Sequence, residues 1–165
     1  MYDKGAGVSF VESQVMVRFF KPRDVKEVHR VMKESSPTPW SEEGFLTFSS
    51  APSAKILVAE REGEILAFAA VRVEWGLSGM RPVKRGYIAE LAVAKKHRRR
   101  GIGTSLMKRV LSYFKDKGAR EARLHVREGN LVARKFYSSL GFKADKLEKN
   151  YYSDGAGVRM SLSLS

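Results

Sequence analysis

Between residues 14 and 20 the chain reads QVMVRFF, an alternation of side chains that predicts a β-strand. Pro22 and Arg23 lead to Asp24 with Glu27 three residues on, the spacing of a capping box. The period then becomes helical, burying Val25, Val28, Val31 and Met32, until SSPTPW (35–40) breaks it. Ser41 is placed to cap a second, short helix carrying Phe45, Leu46 and Phe48. KILVAE (55–60) and EILAFAAVRVEW (64–75) read as a hairpin turning at Arg61-Glu62-Gly63, and GLSGMRPVKRG as a loop before the strand YIAELAV (87–93).

After the basic run KKHRRR comes a helix from about 101 to 117, with Ile102, Leu106, Val110 and Phe114 at helical spacing and Gly118 as its C-cap. ARLHVR (122–127) is a strand, and NLVARKFYSSLG (130–141) is a helix ending at a glycine. FKADKLEKNYY and VRMSLSL form a final strand pair joined at Asp154-Gly155. The order is βααβββαβαββ, an α/β architecture in which helices cover a mixed sheet (α+β mixed sheet) and no linker divides the chain. Residues 14–165 are therefore expected to form one domain, with residues 1–13 as a flexible terminal arm.

The length of 165 residues and hydrophobic fraction of 43% suit one soluble domain with a substantial core. No apolar run approaches the roughly 18 residues of a membrane span, and no secretory h-region follows the start, which makes the cytoplasm the expected compartment. The absence of cysteine excludes disulfides, thiolate zinc sites and cysteine nucleophiles; no metal is expected. Charge changes the picture more. Residues 1–80 hold 10 Lys/Arg against 11 Asp/Glu, whereas residues 81–117 hold 12 against 2. That concentration points to an anionic ligand or surface near KKHRRRGIGTS (95–105).

A strand, a basic run, two glycines and a helix together make an anion site. Amides at a helix N-terminus are unpaired and the dipole favours negative charge there; Gly101 and Gly103 let a pyrophosphate approach the backbone. A Walker lysine is missing and so is G-x-G-x-x-G, which argues against nucleotide hydrolysis and dinucleotide binding. Helix-turn-helix, zinc-module and RNA-recognition patterns are missing too, so a basic nucleic-acid or ribosome-surface binder is the distant alternative.

Arg98-x-x-Gly101-x-Gly103 after Leu-Ala-Val resembles the R/Q-x-x-G-x-G/A signature of the GNAT acetyltransferase superfamily. Asn130-x-x-Ala133-x-x-Phe136-Tyr137-x-x-Leu140-Gly141-Phe142 resembles its second motif. The resemblance implies the GNAT fold, acetyl-CoA as cosubstrate and direct acetyl transfer to an amine. It implies that backbone amides from Arg99 through Arg100, Gly101, Ile102 and Gly103 to Thr104 cradle the pyrophosphate, with Arg98 at the rim. Leu91 and Val93 would pair with the pantetheine arm, Asn130 would touch it from the other side, and Tyr137 would lie near the sulfur as acid for the thiolate.

LHVREGN beside GYIAELAV is similar to the acetyltransferases acting on protein N-termini, particularly the type accepting initiator methionine, whose Tyr/His pair matches Tyr87 and His125. The bacterial ribosomal-alanine enzymes carry a glutamate where this chain has His125. Glu90 is the rival base, although simple alternation puts it on the opposite face from Tyr87. Thr38-Pro39-Trp40 resembles the substrate loop of the ribosomal-alanine enzymes, and Tyr151-Tyr152 the peptide-binding tyrosines of the wider group. By residue type alone, Trp40 could equally be a staple between helices and Asn130 a helix cap. The expected partner is a peptide or protein N-terminus, with weak ribosome or RNA contact through the basic surface. The alternative acceptor is a lysine side chain, a polyamine or another small amine. Lys95 and Lys96 have no role in this scheme. The residue patterns do not set N-terminal specificity, an auxiliary subunit or the oligomeric state.

Overall fold

The computed structural model describes residues 14–164; the expected arm, 1–13, lies outside them. Strands β1 (Met16–Phe19), β2 (Ala54–Arg61), β3 (Glu64–Ser78), β4 (Arg81–Val93), β5 (Glu121–Arg127), β6 (Lys143–Tyr152) and β7 (Gly155–Ser163) form one sheet in the order β1-β2-β3-β4-β5-β7-β6. Helices α1 (Val25–Lys33) and α2 (Glu42–Ser50) follow β1, α3 (Ile102–Asp116) joins β4 to β5, and α4 (Leu131–Ser139) joins β5 to β6. The order is the expected βααβββαβαββ, with short 3-10 turns at Pro22–Asp24 and Lys95–His97. Neighbouring strands are antiparallel except β4 and β5.

The sheet separates two cores. Val28, Val31, Met32 and Phe45 from α1 and α2 pack on Ile56, Val58, Phe68 and Ala92. Ile102, Leu106, Val110 and Phe114 from α3 pack on Leu57, Val71, Ile88 and Leu124 on the other face, joined by Phe136 and Tyr137 of α4. α1 and α3 bury most of the stripe their period marks out, whereas on α2 Phe45 is buried and Leu46 is exposed; β2 and β3, covered on both sides, are apolar on both faces.

Three local expectations need correction. Asp24 and Glu27 do not cap α1. The Asp24 carboxylate accepts from the Lys21 amide and the Arg18 guanidinium, while Glu27 accepts from the Ile65 amide on β3. The stretch 76–86 is not a loop. β3 and β4 continue as a long hairpin through Gly76↔Val83 and Leu77↔Pro82, turning at Gly79 and Met80. Gly76 is a spacer, since a Cβ there would collide with the Arg85 guanidinium that reaches back to the Leu77 carbonyl. The last hairpin turns one residue earlier than expected, at Ser153 and Asp154.

Candidate active site

β4 and β5 pair only from Arg85↔Glu121 to Ile88↔Leu124. Beyond that point β4 stays with β3 while β5 stays with β7, so the sheet opens into a cleft. A bulge lies at the opening: Ala70 faces Glu90 and Val71 faces Ile88, which leaves Ala89 as the extra residue. The bulge changes which side chains share a face. Tyr87 opposes Arg72 and Glu90 opposes Ala70; positions 70 and 72 of β3 lie on one face, so Tyr87 and Glu90 do as well. The expectation that they lie on opposite faces fails because alternation skips a beat at Ala89.

The cleft edge of β4 carries free backbone. The Ala94 amide turns toward β3, onto the Leu66 carbonyl, so by antiparallel alternation Leu91 and Val93 direct their backbone groups the other way. The Val93 carbonyl is taken by Arg98 Nε at 3.0 Å, leaving the Val93 amide and both groups of Leu91. Arg98 thus braces the loop rather than standing free at a phosphate rim; its Nη2 also donates to Ser35 Oγ at the end of α1, at 2.8 Å. Gly101 has φ +78°, the left-handed region in which glycine is at ease, and α3 starts directly after it. The first intrahelical bond is Ser105 N to Gly101 O, so the amides of Ile102, Gly103 and Thr104 precede it. Ile102 turns its side chain into the core and offers only its amide. A Cβ at Gly103 would meet Phe136 and Val93 at 3.4–3.5 Å, ordinary contact distance, so the packing there does not itself demand glycine. Arg99 and Arg100 are exposed beside these amides. The donor set fits a pyrophosphate: three helix-start amides, a side-chain-free approach and two exposed guanidinium groups.

The rest of the basic run makes local contacts. Lys96 pairs with Glu64 at 2.9 Å, the Lys95 amide donates to Glu34, and His97 is buried beside Glu64. Asn130 caps α4 through Oδ1, accepting from the Ala133 amide at 3.1 Å. Tyr137 packs between Phe136 and Phe142, and burial with the nearby charges of Glu90 and Tyr152 raises its phenol above the ordinary value.

On the Tyr87 face, the Tyr87 hydroxyl lies 2.6 Å from His125 Nδ1, and His125 Nε2 lies 3.1 Å from the Glu148 carboxylate. Tyr151 stacks on the imidazole at 4.0 Å between centroids and 8° between planes, and its hydroxyl is 3.0 Å from that of Tyr87. Arg72 sits over the Tyr87 ring at 4.3 Å, and Arg127 over Tyr152 at the same distance. Burial holds the Tyr87 phenol above its ordinary value, pushes Tyr152 up to about 12 and depresses His125. Burial also raises Glu90 to about 7. Glu148, Arg72 and Arg127 escape the reading of the sequence, because each acts through a partner on another strand. β6 changes register between Glu148 and Tyr152, and Asn150 adopts φ +61°, so no period in KLEKNYY announces that Glu148 and Tyr151 meet one imidazole.

The loop ahead of α2 divides. Thr38 and Pro39 are exposed, but the Trp40 indole packs on Phe45 and Phe48 at 5.2 and 5.1 Å. Trp40 thus packs on α2 and against the core it shares with α1, and its backbone amide donates to Met32 Sδ of α1 at 3.3 Å. Ser41 caps α2, accepting from the Gly44 amide at 3.0 Å.

Among the described residues no helix is long and apolar enough to cross a membrane, and no three His, Asp or Glu side chains group to hold a metal. A family described as "Acetyltransferase (GNAT) family" matches residues 25–142. An N-alpha-acetyltransferase of Sulfurisphaera tokodaii is 32% identical over 144 residues, covering 84% of this chain and 86% of the relative. The crystal structure of Ard1 from Thermoplasma volcanium superposes with a TM-score of 0.77 at 25% identity, covering 92% of this chain and 98% of the other. That of Arabidopsis thaliana NAA60 with a bisubstrate analogue reaches 0.81 at 17% identity, covering 92% and 100%, a likeness of fold. The family match across residues 25–142, with a relative 32% identical over most of both chains, shows that the chain belongs to the GNAT acetyltransferase family.

Proposed function

We propose that this enzyme transfers the acetyl group of acetyl-CoA directly to the α-amine of a protein or nascent-chain N-terminus. The observation that carries the reading is the hydrogen-bonded Tyr87–His125 pair, at 2.6 Å where β4 and β5 part, roofed by Tyr151. The relative from Sulfurisphaera tokodaii is named for the same activity. Acetyl-CoA supplies a thioester; the chain's residues do the rest. Helix-start amides at Ile102, Gly103 and Thr104, with Arg99 and Arg100, hold the pyrophosphate, and the free edge at Leu91 and the Val93 amide aligns the pantetheine. Asn130 adds a contact from the α4 side. The α-amine loses its proton through water to Tyr87 and His125, an easy task for a group whose ordinary pKa is about 7.7–8.0, against about 10.4 for lysine. As the C–N bond forms and the C–S bond breaks, neutral Tyr137 donates a proton to the thiolate. Tyr151 and Tyr152, with Thr38 and Pro39, hold the first residues of the peptide. Without cysteine in the chain, no cysteinyl acyl-enzyme stands between donor and acceptor.

Incubation with acetyl-CoA and peptides beginning Met, Ser or Ala, read by mass spectrometry, tests this. α-Amino acetylation is expected. Faster turnover of polyamines or lysine side chains would replace the reading with a small-amine acetyltransferase. A second base is favoured by one observation: Glu90 shares the Tyr87 face and titrates near 7. If E90Q abolishes turnover while H125A retains it, Glu90 is the base. A nascent-chain substrate suits a cytoplasmic enzyme, whose net charge of +13 also suits weak contact with ribosomal RNA through its basic surface.

A further inference from the structure

The hydrogen bonds around His125 form a chain of four groups that ends on a carboxylate. Tyr151 Oη is 3.0 Å from Tyr87 Oη, which is 2.6 Å from His125 Nδ1; His125 Nε2 is 3.1 Å from Glu148. Two of these contacts can run either way, since a phenol donates or accepts and a neutral imidazole has one of each nitrogen. An ionised carboxylate only accepts. Glu148 is held ionised: burial works to raise it, but the adjacent His125 and Lys146 bring it below the ordinary carboxyl value. Nε2 must then carry the proton, and Nδ1 is left as an acceptor. The Tyr87 hydroxyl points its hydrogen at Nδ1, and Tyr151 donates to the Tyr87 oxygen.

The direction matters for chemistry. In this sense Tyr87 gives away its own hydrogen and keeps a lone pair for the cleft. In the reverse sense Nδ1–H would donate to Tyr87, whose hydrogen would then point outward, and the phenol could not receive a proton. We propose that Glu148 is a positioning residue that fixes the His125 tautomer and so sets the Tyr87 phenol as the proton acceptor of the site. The inference rests on the Tyr87–His125 reading of the transfer. A proton leaving the amine, directly or by one water, reaches the Tyr87 oxygen while the Tyr87 proton passes to Nδ1. The product is an imidazolium beside the Glu148 carboxylate, with charge balanced, and it returns its proton to solvent after the amide has formed.

The groups facing His125 are Tyr87 from β4, Glu148 and Tyr151 from β6, Arg159 from β7 and Arg123 on its own strand. Among them Glu148 favours the imidazolium, while the two arginines oppose it. Replacing Glu148 therefore removes a contribution that raises the histidine, and the acid limb of the kcat/KM profile moves to lower pH in both E148A and E148Q.

The test combines 15N NMR of the imidazole with kinetics on wild type, E148Q and E148A. Wild type at pH 8 should show Nε2 protonated and Nδ1 bare. E148Q, whose amide oxygen can still accept, should keep that tautomer and most of kcat. E148A should populate the Nδ1–H form and lose about tenfold or more in kcat, with the KM for acetyl-CoA unchanged. An E148A protein that keeps the Nε2–H tautomer, or whose kcat matches wild type, overturns the proposal. The NMR readout needs no turnover. If H125A has full kcat the transfer reading fails instead, and the tautomer result is unaffected.

Discussion

The carboxyl of Glu90 titrates near 7 because burial disfavours its charge, and that makes it a measurable cost to the fold. Unfolded, the group has an ordinary value of 4.5. Between those values the folded chain holds a proton that the unfolded chain has released, so this contribution falls as pH rises through the window. E90Q removes the dependence. Urea unfolding should give equal stability for E90Q and wild type near pH 4, and a gain of about 1–3 kcal/mol for E90Q at pH 8. An equal difference at both pH values would show that Glu90 is not titrating in the fold. Individual residues were unequally legible in the sequence. Tyr87 and His125 stand out because their strands are well marked, and the structure brings them to hydrogen-bonding distance. Glu90 was placed on the wrong face because one unpaired residue, Ala89, reverses a strict two-residue period. Trp40 is open by residue type, and its indole packs on Phe45 and Phe48.

Elements were more legible than residues, because each is announced by many positions at once. The exceptions are glycines doing a job other than turning. Gly76 and Gly79 with Pro82 read as a loop, yet Gly76 makes room for Arg85 inside a strand, and only Gly79 turns. Gly86 is a second spacer. It lies on β4 under α3, where a Cβ would fall inside the Phe114 ring. G86A should therefore force α3 off the sheet or Phe114 out of its rotamer, costing about 1–3 kcal/mol in urea unfolding. G129A is the control, because a Cβ there meets nothing within 4 Å. Equal effects of the two would refute the spacer account. The Ser41 cap behaves as the sequence predicts, and S41A should cost about 1 kcal/mol.

Across the whole molecule the net charge of +13 is unevenly held. In the first half, acids and bases are nearly equal in number, and one cluster ties distant parts of the chain together. Arg18 on β1 reaches Asp24 at 2.8 Å and Glu60 on β2 at 3.0 Å, with Asp24 only 6% exposed. The Arg18 guanidinium, assisted by the Lys21 amide, outweighs burial and holds the Asp24 carboxyl below its ordinary 3.8. A depressed carboxylate contributes stability above its unfolded value and loses it as pH falls through the lower folded value. D24N leaves Arg18 with Glu60 alone, so at pH 7 it should cost about 2–3 kcal/mol, less than for a fully stranded buried charge. As pH falls below the ordinary 3.8 the difference between D24N and wild type should shrink, because the unfolded wild-type chain then binds a proton at Asp24 that the folded chain does not. The measurement is the urea midpoint of both proteins from pH 7 to pH 2 at fixed ionic strength. Acid also raises the net charge as other carboxylates protonate, and the resulting repulsion lowers both midpoints together. Their difference isolates the cluster: constancy down to pH 2 would mean that Asp24 holds β1 to the sheet by shape rather than by charge.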